Sequence, residues 1–103
     1  MVYGVFLWQW ADFHITGLLT EEINGTTVAI YVSEYQMPRI RRIDIEAQTV
    51  VIVLDFTEQG EDFYSFQDIL KYGENTFLLL SRYGLVEANV QTGQAQYILG
   101  SSE

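Results

Sequence analysis

The 103 residues contain no cysteine, one proline, one histidine, and five lysines and arginines against fourteen carboxylates. Without thiols there is no disulfide, no thiolate zinc site and no cysteine nucleophile. With His14 alone, one chain cannot supply a three-histidine metal site, and a single histidine beside a strand reads as a structural residue. No apolar run approaches the length of a membrane span. Residues 1–10 are apolar but have neither a basic leader nor a small-residue cleavage pattern, so they read as a strand and not as a signal peptide. A formal charge of -9 repels phosphates and anionic membranes, which argues against nucleic-acid and membrane partners. It suits solubility or a cationic partner. Nothing resembles a nucleophile elbow. The expectation is therefore a protein without catalytic residues or cofactors.

What is present is apolar and aromatic: 49% hydrophobic residues and 15% Phe, Trp and Tyr, which argues for a packed single domain over residues 1–103 and against disorder. Val, Ile, Tyr, Phe and Thr dominate short segments broken by turn residues, a strand signature. Strands are expected over residues 2–10, 15–19, 27–33, 40–46, 49–54, 76–81, 85–90 and 94–99. Asn24-Gly25 is the strongest tight-turn dipeptide; the sequon it begins needs no other explanation. Pro38 punctuates a loop. Residues 55–62 form an acidic connector. Beyond it, Phe63, Phe66, Ile69 and Leu70 have helical spacing, and Ser65 with Asp68 offers a capping box. The competing reading makes residues 67–71 a strand, and it is the one preferred here. Two runs, Val50-Val51-Ile52-Val53-Leu54 and Phe77-Leu78-Leu79-Leu80, lack alternation and are too short for helices. Such strands expect burial on both faces, as in stacked propeller blades.

Residues 39–54 align with residues 84–99 at an offset of 45. Ile40 falls on Leu85, Ile43 on Ala88, Asp44 on Asn89 and Ile45 on Val90; Ile52, Val53 and Leu54 fall on Tyr97, Ile98 and Leu99. Four strands in such a period is the repeat of a propeller blade. Ile30-Tyr31-Val32-Ser33-Glu34, followed by Pro38-Arg39-Ile40-Arg41-Arg42-Ile43-Asp44, resembles an NHL repeat. Asp68-Ile69-Leu70, residues 76–81 and the stretch from Gly84 to Thr92-Gly93 resemble a second. Ala47-Gln48 replaces the family's Thr-Gly turn in the first unit, and both units lack the usual proline before the innermost strand. The resemblance, over about residues 13–99, implies an all-β chain of two four-stranded antiparallel propeller-type blades. Residues 13–54 would be blade one, 55–65 an acidic connector, 66–99 blade two, and 1–12 an extra N-terminal strand placed to clasp a neighbouring blade. Two blades do not close a ring, so completion by oligomerisation or by further blades is expected.

The resemblance implies a platform for protein or RNA partners, and the charge favours protein or a second copy of the chain. Arg39, Arg41 and Arg42 hold three of the five basic groups. Guanidinium groups pair with carboxylates bidentately, so structural pairing is expected of them, with ligand contact the alternative. Tyr35 and Tyr83, in loops before Ile40 and Leu85, are candidates for a ligand-facing rim; aromatic faces there would suit carbohydrate, as in lectin-like rings. Asp55, Glu58, Glu61 and Asp62 cluster oxygen ligands of the kind calcium takes, but their spacing matches no calcium loop. A third reading is a small acidic inhibitor that occupies a basic surface of a nucleic-acid enzyme.

Overall fold

The computed structural model describes residues 15–59, 63 and 65–101. They form two four-stranded antiparallel sheets. Sheet 1 runs β1 (Ile15–Ile23), β2 (Thr26–Glu34), β3 (Met37–Asp44) and β4 (Thr49–Asp55). Sheet 2 runs β5 (Phe66–Lys71), β6 (Thr76–Ser81), β7 (Gly84–Asn89) and β8 (Ala95–Gly100). In each, spatial order equals chain order. The expected strand at residues 2–10 and His14 lie outside the described residues. Because β8 already occupies the edge of β7, a clasping strand from another copy would have to extend a sheet that has its four strands.

Local chemistry accounts for the turns. Asn24 (φ 52°) and Gly25 (φ 80°) are both left-handed, the conformation that two-residue hairpins with Asn-Gly favour. The β3–β4 and β7–β8 turns are built alike. Asp44 Oδ1 accepts the Ala47 N–H at 2.8 Å, and Asn89 Oδ1 accepts that of Thr92 at 3.0 Å. Gln48 (φ 57°) then stands where Gly93 (φ 75°) stands. The sequence alignment at offset 45 is thus the alignment of the two turns.

Pro38 does not sit in a loop. It is buried inside β3, where the ladder to β2 jumps from Ser33↔Ile40 to Glu34↔Met37. At that irregularity the missing N–H is not needed, and the Pro38 carbonyl accepts the Phe56 N–H at 2.8 Å. Phe66–Lys71 is a strand and not a helix. A register shift at Gln67, between Phe66↔Ser81 and Asp68↔Leu80, brings Phe66 and Ile69 to one face, which explains their helix-like spacing. The connector is acidic but also a plug: Phe56, Phe63 and Ser65 are all buried.

The two sheets share two of their irregularities, while the jump opposite Pro38 and the shift at Glu21–Glu22 belong to sheet 1 alone. β1 shifts register at Thr16 as β5 does at Gln67. β4 carries an extra residue at Val53, between Ile40↔Leu54 and Arg41↔Ile52, and β8 carries one at Ile98, between Leu85↔Leu99 and Val86↔Tyr97. The two-residue turns Tyr35-Gln36 and Arg82-Tyr83 follow paired ends Glu34↔Met37 and Ser81↔Gly84. Residues 29–34 of β2 therefore correspond to β6 at offset 47, and residues 40–44 of β3 to residues 85–89 of β7 at offset 45.

The sheets pack face to face around Tyr31, Ile40 and Leu54 of sheet 1 and Ile69, Phe77, Leu79, Val86 and Ala88 of sheet 2. Tyr31 and Phe77 meet edge to face with ring centroids 4.9 Å apart. Approach is closest at the first strands. Thr16 Oγ1 donates to the Phe66 carbonyl at 2.6 Å. A Cβ at Gly17 would lie 2.8 Å from Ser33 Oγ, 3.0 Å from Asp68 Cα and 3.3 Å from the Gln67 carbonyl oxygen. Two of those atoms are backbone, so the sheets must part to admit a methyl group. Gly17→Ala should destabilise the fold by about 1–3 kcal/mol, the usual cost of overpacking. Urea unfolding measures it; an unchanged midpoint would mean that the sheets are not pressed together here.

Candidate functional site

Two of the five residues singled out from the sequence, Arg39 and Arg41, converge on a group the sequence reading missed. Glu34 closes β2 fully buried. Arg39 reaches it as a fork, Nε to Oε1 at 3.2 Å and Nη2 to Oε2 at 3.4 Å. Arg41, two residues further along β3 and on the same face, places its Nε 2.7 Å from Oε1. Both arginine side chains are 13% exposed and that of Glu34 1%. Burial is the main influence on Arg41 and pulls its pKa down; the charge of Glu34 acts in the opposite sense. The turn residue Tyr35, next in the chain to Glu34, is exposed. A signal for Glu34 was available: a carboxylate at the end of an apolar strand, five residues before an arginine.

Arg42 points the other way, to the face of sheet 1 that meets sheet 2. Its guanidinium lies 5.9 Å from the centre of the Tyr31 ring and 3.1 Å from Glu21 Oε1, with Asp44 at 3.5 Å. Lys71 of β5 reaches the same Glu21 at 3.3 Å, tying the sheets together. The Arg42 hydrogen bond is the main reason that the Glu21 carboxyl is held below its ordinary pKa. A carboxyl with a depressed pKa adds stability in full above its unfolded value, about 4.3 for glutamate, and the contribution is lost as pH falls through the folded value. Stability should therefore fall between neutral pH and pH 3, and Glu21→Gln should make that fall shallower. Denaturant midpoints at the two pH values test this; equal slopes for both chains would remove the linkage.

Tyr83 is the second residue of the β6–β7 turn, whereas Tyr35 is the first of its own. The two tyrosines are both exposed but not equivalent. Of the acidic cluster, Glu61 and Asp62 lie outside the described residues. Asp55 is engaged locally: its Oδ1 accepts the Thr57 N–H at 3.0 Å and the Thr57 hydroxyl at 2.8 Å. The backbone bond is the main reason its pKa is lowered. Among the described residues no three His, Asp or Glu side chains are grouped to hold a metal ion.

One exposed surface is apolar. On the face of sheet 2 turned away from sheet 1, Leu70 (55% exposed), Leu80 (43%) and Leu99 (68%) stand open beside Leu78 and Leu85. Tyr72 donates to Glu87 at its border. The opposite face of sheet 1 exposes Leu18 and Ile52 next to the buried Val32 and Ile43. Sequence reasoning anticipated this only indirectly, through the apolar runs without alternation. Comparison with protein-family models, with curated proteins and with solved structures gives no match.

Proposed function

We propose that this chain is a non-catalytic binding or scaffold module of the NHL-like β-propeller type, acting through protein–protein contacts made by its sheet faces. One observation carries the reading. β6 reads Thr-Phe-Leu-Leu-Leu-Ser without alternation, a pattern suited to a strand covered on both sides. Phe77 and Leu79 are covered, while Leu80 is open and shares its face with the open Leu70 and Leu99. Large exposed apolar patches on soluble proteins mark interaction sites. Simple meanders of four strands that pack face to face, closest at their first strands, also suit propeller blades.

A photo-crosslinking amino acid at position 80 tests the reading, with one at the exposed Glu46 of the β3–β4 turn as control. Protein adducts from position 80 and none from position 46 are expected. No adduct from position 80 would overturn the proposal. The exposed turn residues Tyr35 and Tyr83 favour a second reading, a lectin-like oligomer in which they stack on sugars. Binding on a glycan array that Tyr35→Ala and Tyr83→Ala abolish would establish it.

A further inference from the structure

Of the four strands that end the two sheets, two press on each other and two stand free. A Cβ at Gly17 of β1 would lie 3.0 Å from Asp68 Cα of β5, so the first strands close each other's edges in part. The last strands, β4 and β8, have no further strand beside them among the described residues. β4 reads Thr-Val-Val-Ile-Val-Leu-Asp. Its interior, residues 50–54, holds no charge and no proline, the residues by which an edge strand ordinarily avoids an added one. Only the extra residue at Val53 interrupts it, which leaves residues 49–52 regular. Val51 is 51% exposed and Ile52 48%. Successive side chains in a strand point to opposite faces, so this edge is apolar on both sides of the sheet. A partner docked on one face would cover one of the two residues; a strand added alongside covers both.

Charge selects the occupant. Glu46 in the β3–β4 turn is exposed at one end of this edge, and Asp55 and Glu58 are exposed at the other. Four of the chain's five cations are held by carboxylates, Arg39 and Arg41 by Glu34 and Arg42 and Lys71 by Glu21. The fifth, Arg82, lies in the β6–β7 turn of the other sheet. A second copy paired along β4 would set acid against acid in either direction, Glu46 beside Asp55 when antiparallel and each beside its own like when parallel. Like charges directly opposite destabilise a strand pair. We infer that β4 takes up an extended segment of a cationic partner protein as a fifth strand of sheet 1. The segment's backbone pairs with residues 49–52, and a basic side chain at each of its ends meets Glu46 on one side and Asp55 with Glu58 on the other. Thr49 and Asp55 bound the strand, a span of about 20 Å, so the basic residues stand about six positions apart with apolar side chains between them. The edge is separate from the open face of sheet 2, and the crosslinking result at position 80 leaves it unaffected.

The test titrates the purified full chain with a blocked seven-residue peptide, alternating valine and threonine with a lysine at each end, and follows amide hydrogen exchange by NMR. Exchange is expected to slow at amides of residues 49–52 and to stay unchanged in β8. The same peptide with a glutamate at each end is expected not to bind. Glu46→Gln/Glu58→Gln, at two exposed positions, is expected to weaken the lysine peptide about fivefold, as two exposed ion pairs allow, and to leave the unfolding midpoint unchanged. Two further lysine peptides, one N-methylated on its valines and one on its threonines, separate strand addition from attraction by charge alone. One should bind as before and the other not at all, because an edge strand bonds to alternate residues of its neighbour. No binding at millimolar peptide, equal binding of the glutamate peptide, protection outside β4 or equal behaviour of the two methylated peptides each overturns the inference.

Discussion

Glu34→Ala should destabilise the fold by about 3–5 kcal/mol, the range for removing one partner of a buried ion pair. The carboxylate is the group that both Arg39 and Arg41 reach, and neither guanidinium is more than slightly exposed. Deleting it leaves two like charges side by side, two residues apart on one face of β3. Asp55 lies opposite Arg39 in the ladder and offsets part of that charge, but it is exposed and engaged with Thr57. Chemical denaturation at neutral pH gives the loss directly. The companion variant Glu34→Leu/Arg39→Met/Arg41→Met should recover most of it, since a buried ionic group is often replaced by apolar residues at little cost. Recovery would identify the single-variant loss as the penalty of uncompensated charge. A Glu34→Ala protein as stable as the wild type would mean that the arginines find water or another acid, and the cluster would not be holding β2 to β3.

Phe66→Ala should cost about 3–5 kcal/mol, as deletion of a buried ring generally does. Phe66 is fully buried where the connector, β5 and sheet 1 meet. Its ring lies 6.1 Å from that of Phe56, nearly perpendicular, and 5.9 Å from that of Phe63. Phe63 in turn leans on Tyr97, 5.5 Å away. Four rings thus depend on one another, and the backbone carbonyl of Phe66 also receives Thr16 from sheet 1. The remaining rings are attached to different elements and cannot all close on the cavity. Thermal and denaturant unfolding should show a single, earlier transition. A shift of only a few tenths of a kcal/mol would indicate that the connector rearranges to fill the space, and that the plug is looser than its burial implies.

Much of this architecture was legible in the residues, for identifiable reasons. Asn24-Gly25 encodes a left-handed pair, and it turns where expected. Asp44 and Asn89 share a turn because each offers a side-chain oxygen at the same place, so an alignment with a single identity, Leu54 with Leu99, still marks the structural repeat. What the residues concealed arises where strands depart from regularity. The shift at Gln67 makes a strand imitate helical spacing, and the jump opposite Pro38 admits a proline to a buried strand. Phe56 and Phe63 sit in or beside a segment dominated by charge, so composition marks an acidic connector and not a buried plug. Glu34 was overlooked because a carboxylate at a strand end usually faces water; only the fold brings two arginines over it. Arg39, Arg41 and Arg42 are close in sequence and were expected to pair alike, yet alternation along β3 sends the third to the opposite face.

The apolar faces connect these features to function. Val50-Val51-Ile52-Val53-Leu54 and Phe77-Leu78-Leu79-Leu80 are written for strands between neighbours, and the chain itself supplies a neighbour on one side. Val51, Ile52, Leu70, Leu80 and Leu99 remain exposed. Each such side chain gains roughly 1.5–3 kcal/mol when fully covered, so a partner that buries several of them meets a surface already shaped for it.

The most direct test is the native mass of the purified chain, from light scattering coupled to size exclusion over a range of concentrations. Completion of the blades by further copies of the chain gives a discrete species whose mass is a whole multiple of the 11.9 kDa chain. A folded monomer of 11.9 kDa that persists at high concentration would contradict it, because the open apolar face of sheet 2 would then meet other copies without binding them.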